Sequence, residues 1–179
     1  MGRAGLLVSA LGLVAASATA PAVIDSSGGP AVGPGGIGAA FPAGALDAPA
    51  TVSITTLEVP VAFTNSVMRL GIYQITGVYP AAIRIALSPP TPPTAPVEVE
   101  VPLPESWTRL MESTDSIEFF VRGVVPSGQG LPDEGFTEYH ILQTSYDAAS
   151  RTARTQVPAI QWAQDGAVIL VIVTIPGNF

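Results

Sequence analysis

Proline and glycine punctuate this chain so closely that it has little room for a helix. There are 18 of each among 179 residues. Inside a helix, each glycine costs about 1 kcal/mol and each proline about 3 relative to alanine. Turns accept both, because glycine supplies unusual backbone angles and proline fixes φ. Since 47% of the residues are apolar, the chain still has the material for a core. Its length fits one domain better than two. The pattern therefore predicts many short strands joined by turns. About nine are legible, and stacking two antiparallel sheets buries them. The expected fold is an all-β, two-sheet antiparallel β-sandwich.

The clearest strand is "VEVEVPL" at 97–103. Val97, Val99, Val101 and Leu103 fall on one face, and Glu98 and Glu100 on the other. Strict period two is what one dry face and one wet face require. Pro102 marks an edge or a strand end. The two glutamates read as solvent-facing residues that also deter edge pairing. "TVSITTLEV" alternates likewise, with Val52, Ile54 and Thr56 opposite Ser53 and Thr55. "AIRIALS" sets Ile83, Ile85 and Leu87 on one face. In the β-rich stretch 67–79, Gly71 and Gly77 mark bulges or close backbone contacts. "ESWTRLMES" fits a single helical turn. "IEFFVRGVV" and "EYHILQTSY" read as strands, and 145–157 as two strands joined at 147–150. "GAVILVIVTI", apolar on both faces, is a central strand.

The first 18 residues have the three parts of a secretory signal. Arg3 is the basic start, 6–14 form the apolar core, and Ala16, Ser17 and Ala18 offer a cleavage site after Ala18. Cutting after Ala20 would set Pro21 against the peptidase. The apolar run is too short for a bilayer core of about 30 Å, which takes about 20 residues. The expected organisation is a signal peptide at 1–18, a flexible leader at 19–35 and a sandwich at 36–179. The protein is then secreted, periplasmic or at the cell surface, with no membrane span in the mature chain.

The net charge is −7, and charged residues make up only 12%. The basic side chains are scattered arginines rather than the stripe that phosphate neutralisation needs. Nucleic acid is not an expected partner. With no cysteine, disulfides, thiolate zinc sites, cysteine nucleophiles and a lipid-modified N-terminal cysteine are excluded.

No constellation for catalysis stands out. His140 is the one histidine, and a general base needs a nucleophile and an orienting partner beside it. Alternation puts it on a face with Glu138, which reads as a surface pair. Asp133 and Glu134 form an acidic loop without the spacing of a calcium loop. Trp107, Trp162, Tyr73, Tyr79, Tyr139 and Tyr146 could stack on sugars, although such aromatics more often plug a core. "SPPTPPTAP" at 88–96 is either a proline-rich ligand or, preferably, a connector whose prolines prevent pairing. The expectation is no catalytic residue, no metal site and no cofactor.

Several stretches then line up in order: "SSGG" at 26–29, "FPAGALDAPATVSIT" at 41–55, "PAAIRIALSPP", "PVEVEVPLPES" and "YDAASRTARTQVPAI". This order resembles the ZU-five-type β-sandwich domain of ankyrins, UNC-type netrin receptors and zonula occludens proteins, which also occurs in bacterial exported proteins. The resemblance spans 25–173. Pro42, Gly44, Ala45 and Leu46 fit the family's turn before its next strand. Read physically, Pro42 stops the preceding strand, Gly44 takes a positive φ and Leu46 plugs the end of the sandwich. Some members of the family cut themselves at a His-Phe-Ser tripeptide. The corresponding Ala159, Ile160 and Gln161 supply neither base nor nucleophile, so that reaction is not expected. The resemblance implies a non-enzymatic interaction or structural module with a protein or envelope partner. The alternatives are a strand-exchanging assembly subunit and a carbohydrate-binding module.

Overall fold

The computed structural model describes residues 20–59, 75, 77–108, 115–122 and 139–176, together with their side chains except at 107, 115, 122, 139 and 176. Among them are twelve strands: β1 (Ala22–Ile24), β2 (Gly29–Val32), β3 (Gly38–Phe41), β4 (Ala50–Leu57), β5 (Gly77–Val78), β6 (Ala82–Ser88), β7 (Val97–Pro102), β8 (Asp115–Arg122), β9 (Tyr139–Leu142), β10 (Thr144–Asp147), β11 (Thr152–Val157) and β12 (Ala167–Pro176). One helical turn, α1 (Glu105–Thr108), follows β7. The strands form two antiparallel sheets. The larger runs β1-β4-β6-β12-β8-β9, with β5 also on β12, and the smaller runs β10-β11-β7-β3-β2. The fold is the all-β sandwich that the punctuation predicts.

Alternation does the packing. Val97, Val99 and Val101 of β7 are fully buried. They share one core with Ile83, Ile85 and Leu87 of β6 and Val168, Leu170 and Ile172 of β12. Val52 and Ile54 of β4 join them, while Thr55 faces water. The last strand is central, as its composition implies: β6 lies on one side of it and β8 on the other. Its second face is dry too. Val171 and Val173 form a separate cluster with Phe120 and Ala82 on the outside of the larger sheet, where Val59, Ile75, Ile141 and Ile169 pack partly buried. Gly77 makes the close approach expected of it, since a Cβ there would lie 2.8 Å from the Thr174 hydroxyl. Gly71 lies outside the described residues.

Three expectations change. The segment read as a flexible leader at 19–35 contains β1, paired with β4, and β2, paired with β3. Ile24 and Ala31 are buried in the core. The strands are three and four residues long, and their glycine, proline and alanine content hides them from a periodicity search. The stretch read as one strand over 138–146 breaks at Gln143. Its first half, β9, belongs to the larger sheet and its second half, β10, to the smaller. Finally, β7 lies between β11 and β3. Glu98 and Glu100 therefore guard no edge, and Pro102 marks a strand end. The signal reading of 1–18 falls outside the described residues.

The chain switches sheets at two places. Among the described residues, β1 and β9 edge the larger sheet, and β2 and β10 edge the smaller. Because β1 leads directly to β2 and β9 to β10, the chain itself crosses between the layers on both sides. The second crossing depends on hydroxyls. Where β9 leaves β8, the Phe119 N–H donates instead to Thr144 Oγ1 at 3.1 Å, and Thr144 Oγ1 donates to Leu142 O at 2.9 Å. Thr155 Oγ1 donates to Gln143 O at 2.8 Å. Buried backbone groups need such partners, because an unpaired one costs about 1–3 kcal/mol.

Two outcomes follow. Thr144→Val keeps the shape and strands the Phe119 N–H, so urea unfolding should show a loss of about 1–3 kcal/mol. Thr144→Ser should stay near wild type, and equal stability of all three proteins would remove the hydroxyl from this role. Glu118 faces Val173 across the ladder. Burial pushes its carboxyl above the ordinary glutamate value, outweighing the smaller lowering influence of the neighbouring Thr144 and Ser116 side chains. A raised folded pKa means that the stabilising difference is complete below the unfolded value and is lost as pH rises through the folded one. Glu118→Gln should therefore match wild type in acid and become more stable than it at neutral pH. A difference that does not vary with pH would contradict this.

Candidate functional site

The most differentiated exposed surface among the described residues is the outer face of the smaller sheet. The alternation that buries Val97, Val99 and Val101 turns Glu98 and Glu100 outward. The register sets Glu100 opposite Arg154 on one side and Gly38 on the other. Glu98 lies between Gln156 and Ala40. On the outermost strands, Ser145 faces Arg154 and Pro30 faces Ala40.

The face thus has two halves. One is a ladder of polar groups. Arg154 Nε donates to Glu100 Oε1, and both side chains stay well exposed. Gln156 Nε2 donates to Glu98 Oε2 at 3.0 Å. The Glu100 hydrogen bond, then its charge, raises the Arg154 pKa, with smaller help from Asp147 and Glu98. Asp147 is held below the usual carboxylate value, first by the Ser150 hydroxyl and then by the backbone N–H groups of Ala149 and Ser150. Exposed pairs of this kind contribute about 0–1 kcal/mol each, so they orient the surface more than they stabilise the fold. The other half is low and apolar: Gly38, Ala40, Pro30 and Val32, the last 53% exposed. Pro30 has no N–H to offer on this outermost strand, which blunts it against further pairing.

The turn residues Pro42, Gly44, Ala45 and Leu46 lie elsewhere, at the end of β3. Gly44 has φ +78, and Ala45 and Leu46 are buried. Three chain segments meet there. Gly44 N–H donates to Ser26 O at 2.8 Å and Ala45 N–H to Pro42 O at 3.0 Å. Thr94 N–H donates to Ala45 O at 2.9 Å, and its hydroxyl donates to Gly44 O at 2.9 Å. The corner thus clamps the β1–β2 turn and the proline-rich connector onto the end of the sandwich.

The remaining candidates do not converge. His140 stands opposite Val121 in edge strand β9 and is half-buried. Glu138, Asp133, Glu134 and Tyr73 lie outside the described residues, as do the side chains of Trp107 and Tyr139. Trp162 is 3% exposed and packs on Phe41, with ring centroids 6.1 Å apart. Tyr79 and Tyr146 pack partly buried against the same core. Trp162 is therefore a core plug and offers no sugar-stacking surface. Ala159, Ile160 and Gln161 form a short 3-10 turn. Among the described residues, no group of three or more His, Cys, Asp or Glu is placed to hold a metal ion, and no helix is long and apolar enough to cross a membrane. Sequence periodicity identifies Glu98 and Glu100 but not their partners, because Gln156 and Arg154 are 58 and 54 residues away. No family model and no curated protein matches the chain.

The corner gives a direct test. A Cβ at Gly44 would meet nothing within 4 Å, so Gly44→Ala carries only the left-handed backbone penalty of about 1–2 kcal/mol. At Gly28, also at positive φ, a Cβ would collide with the Phe41 carbonyl. Thermal unfolding should rank wild type above Gly44→Ala, and Gly44→Ala above Gly28→Ala. The reverse order of the two variants would contradict the clamp.

Proposed function

We propose that this chain is an exported, non-enzymatic β-sandwich that serves as an interaction or structural module of the cell envelope or extracellular space. The observation that carries this reading is the divided outer face of the smaller sheet, where a pinned polar ladder adjoins a low apolar strip. Interfaces combine such an apolar centre with a polar rim that sets register. The partner it fits is a protein surface bearing Arg or Lys opposite Glu98 and Asp147, with an apolar contact over Ala40 and Val32. The ZU-five-type resemblance, with its turn at Pro42, Gly44, Ala45 and Leu46, belongs to the same proposal, since that family supplies interaction modules.

The alternatives draw less support. A strand-exchanging subunit needs a free edge or a loosely held strand. Here the apolar final strand is paired on both sides, and the edges left among the described residues are the short strands β1, β9, β2 and β10. A carbohydrate-binding module would need exposed aromatic faces, and Trp162 is inside.

The test is affinity for the partner recovered from the native envelope, measured with purified components. Glu98→Arg and Ala40→Arg should each weaken binding at least tenfold, which is about 1.4 kcal/mol. Ile160→Arg, at an exposed position beyond the end of β11, should leave it unchanged. Equal affinity across the series would dismiss the face. A hydrolytic activity abolished by changing His140 would dismiss the non-enzymatic reading.

A further inference from the structure

The connector at 88–96 is not absorbed by the interaction reading, and its threonines differ. Thr94 is exposed, but its hydroxyl and N–H are both spent on the carbonyls of the 42–46 corner. Pro93 beside it is buried, so this end of the connector is bolted down. Ser88 lies in the last pair of β6, opposite Thr51. Thr91 is the exception. It is exposed, and its hydroxyl takes no hydrogen bond among the described residues. Residues 89–93 read Pro-Pro-Thr-Pro-Pro, so Thr91 holds the only backbone N–H in that run. Prolines on both sides hold the chain extended and keep it from pairing into a sheet. The backbone of Pro90 and Thr91 rests against Gly166, where a Cβ would come within 2.9 Å of both. The hydroxyl is thus carried on a supported, exposed stretch outside the sheets.

We propose that Thr91 is an O-glycosylation site. Segments rich in Ser, Thr and Pro are a compositional class that carries O-linked sugars, and residues 88–96 have that composition. The inference rests on the export reading, because the donor and its transferase would be met on the way out of the cell. In the transfer, Thr91 Oγ1 attacks the anomeric carbon of a hexose held as a polyprenyl phosphate ester. The bond from that carbon to the phosphate oxygen breaks, and the polyprenyl phosphate leaves with the electron pair. The hydroxyl proton passes to a base of the transferase. The same geometry excludes Thr94, whose hydroxyl would have to abandon the corner.

Native cells are fractionated, and the protein is purified from the fraction that holds it. The 88–96 peptide is then sequenced by fragmentation that keeps O-linked sugars. The expected result is an exported protein with a hexose on Thr91, lost completely in Thr91→Ala and retained in Thr94→Val. Site assignment on the wild-type protein stands even where Thr94→Val fails to fold. A bare peptide from an exported protein overturns the glycosylation and leaves export intact. A bare peptide from a cytoplasmic protein overturns both. A sugar on Ser88 or Thr94 also overturns the assignment.

Discussion

Water has to leave the space between two sheets, and no backbone group can be abandoned in the process. Most of this structure follows from meeting both demands with extended chain. Three valines of β7 meet three apolar residues from each of β6 and β12 in one core. Each such side chain contributes about 1.5–3 kcal/mol when fully buried. The outermost strands of the two layers are joined by the chain itself. Here the chain steps from one layer to the other between β1 and β2, and again between β9 and β10. Thr144 and Thr155 carry the second step by giving hydroxyls where ladder partners run out.

Where one face is dry and the other wet, the sequence is easy to read. Val97 to Leu103, Val52 with Ile54, and Ile83 with Ile85 announce their faces within a few residues. The last strand announces its double burial through an unbroken apolar run. What stayed hidden is set by distant parts of the chain. β1 and β2 are too short to show a period, and their role becomes visible only through partners in β4 and β3. Nothing in "EYHILQTSY" marks Gln143 as the point of a sheet switch, because the change depends on where β8 and β11 lie. The ladder partners of Glu98 and Glu100 are likewise a matter of register.

The corner at Pro42, Gly44, Ala45 and Leu46 shows how a local signal can be legible in shape and incomplete in meaning. Its composition foretells a turn with a positive φ and an inward leucine. Only the fold shows that it also gathers the β1–β2 turn and the proline-rich connector. In the connector it holds Pro93 and Thr94, while Thr91 stays exposed.

The central claim is that residues 22–32 and the crossing at Gln143 are integral to the sandwich. Amide hydrogen exchange of the folded protein tests this most directly. The account predicts that the paired amides of β1, β2 and β10 exchange far more slowly than free chain, approaching those of β7 and β12. Exchange over 22–32 as fast as in an unstructured peptide, beside a protected β7, would contradict it.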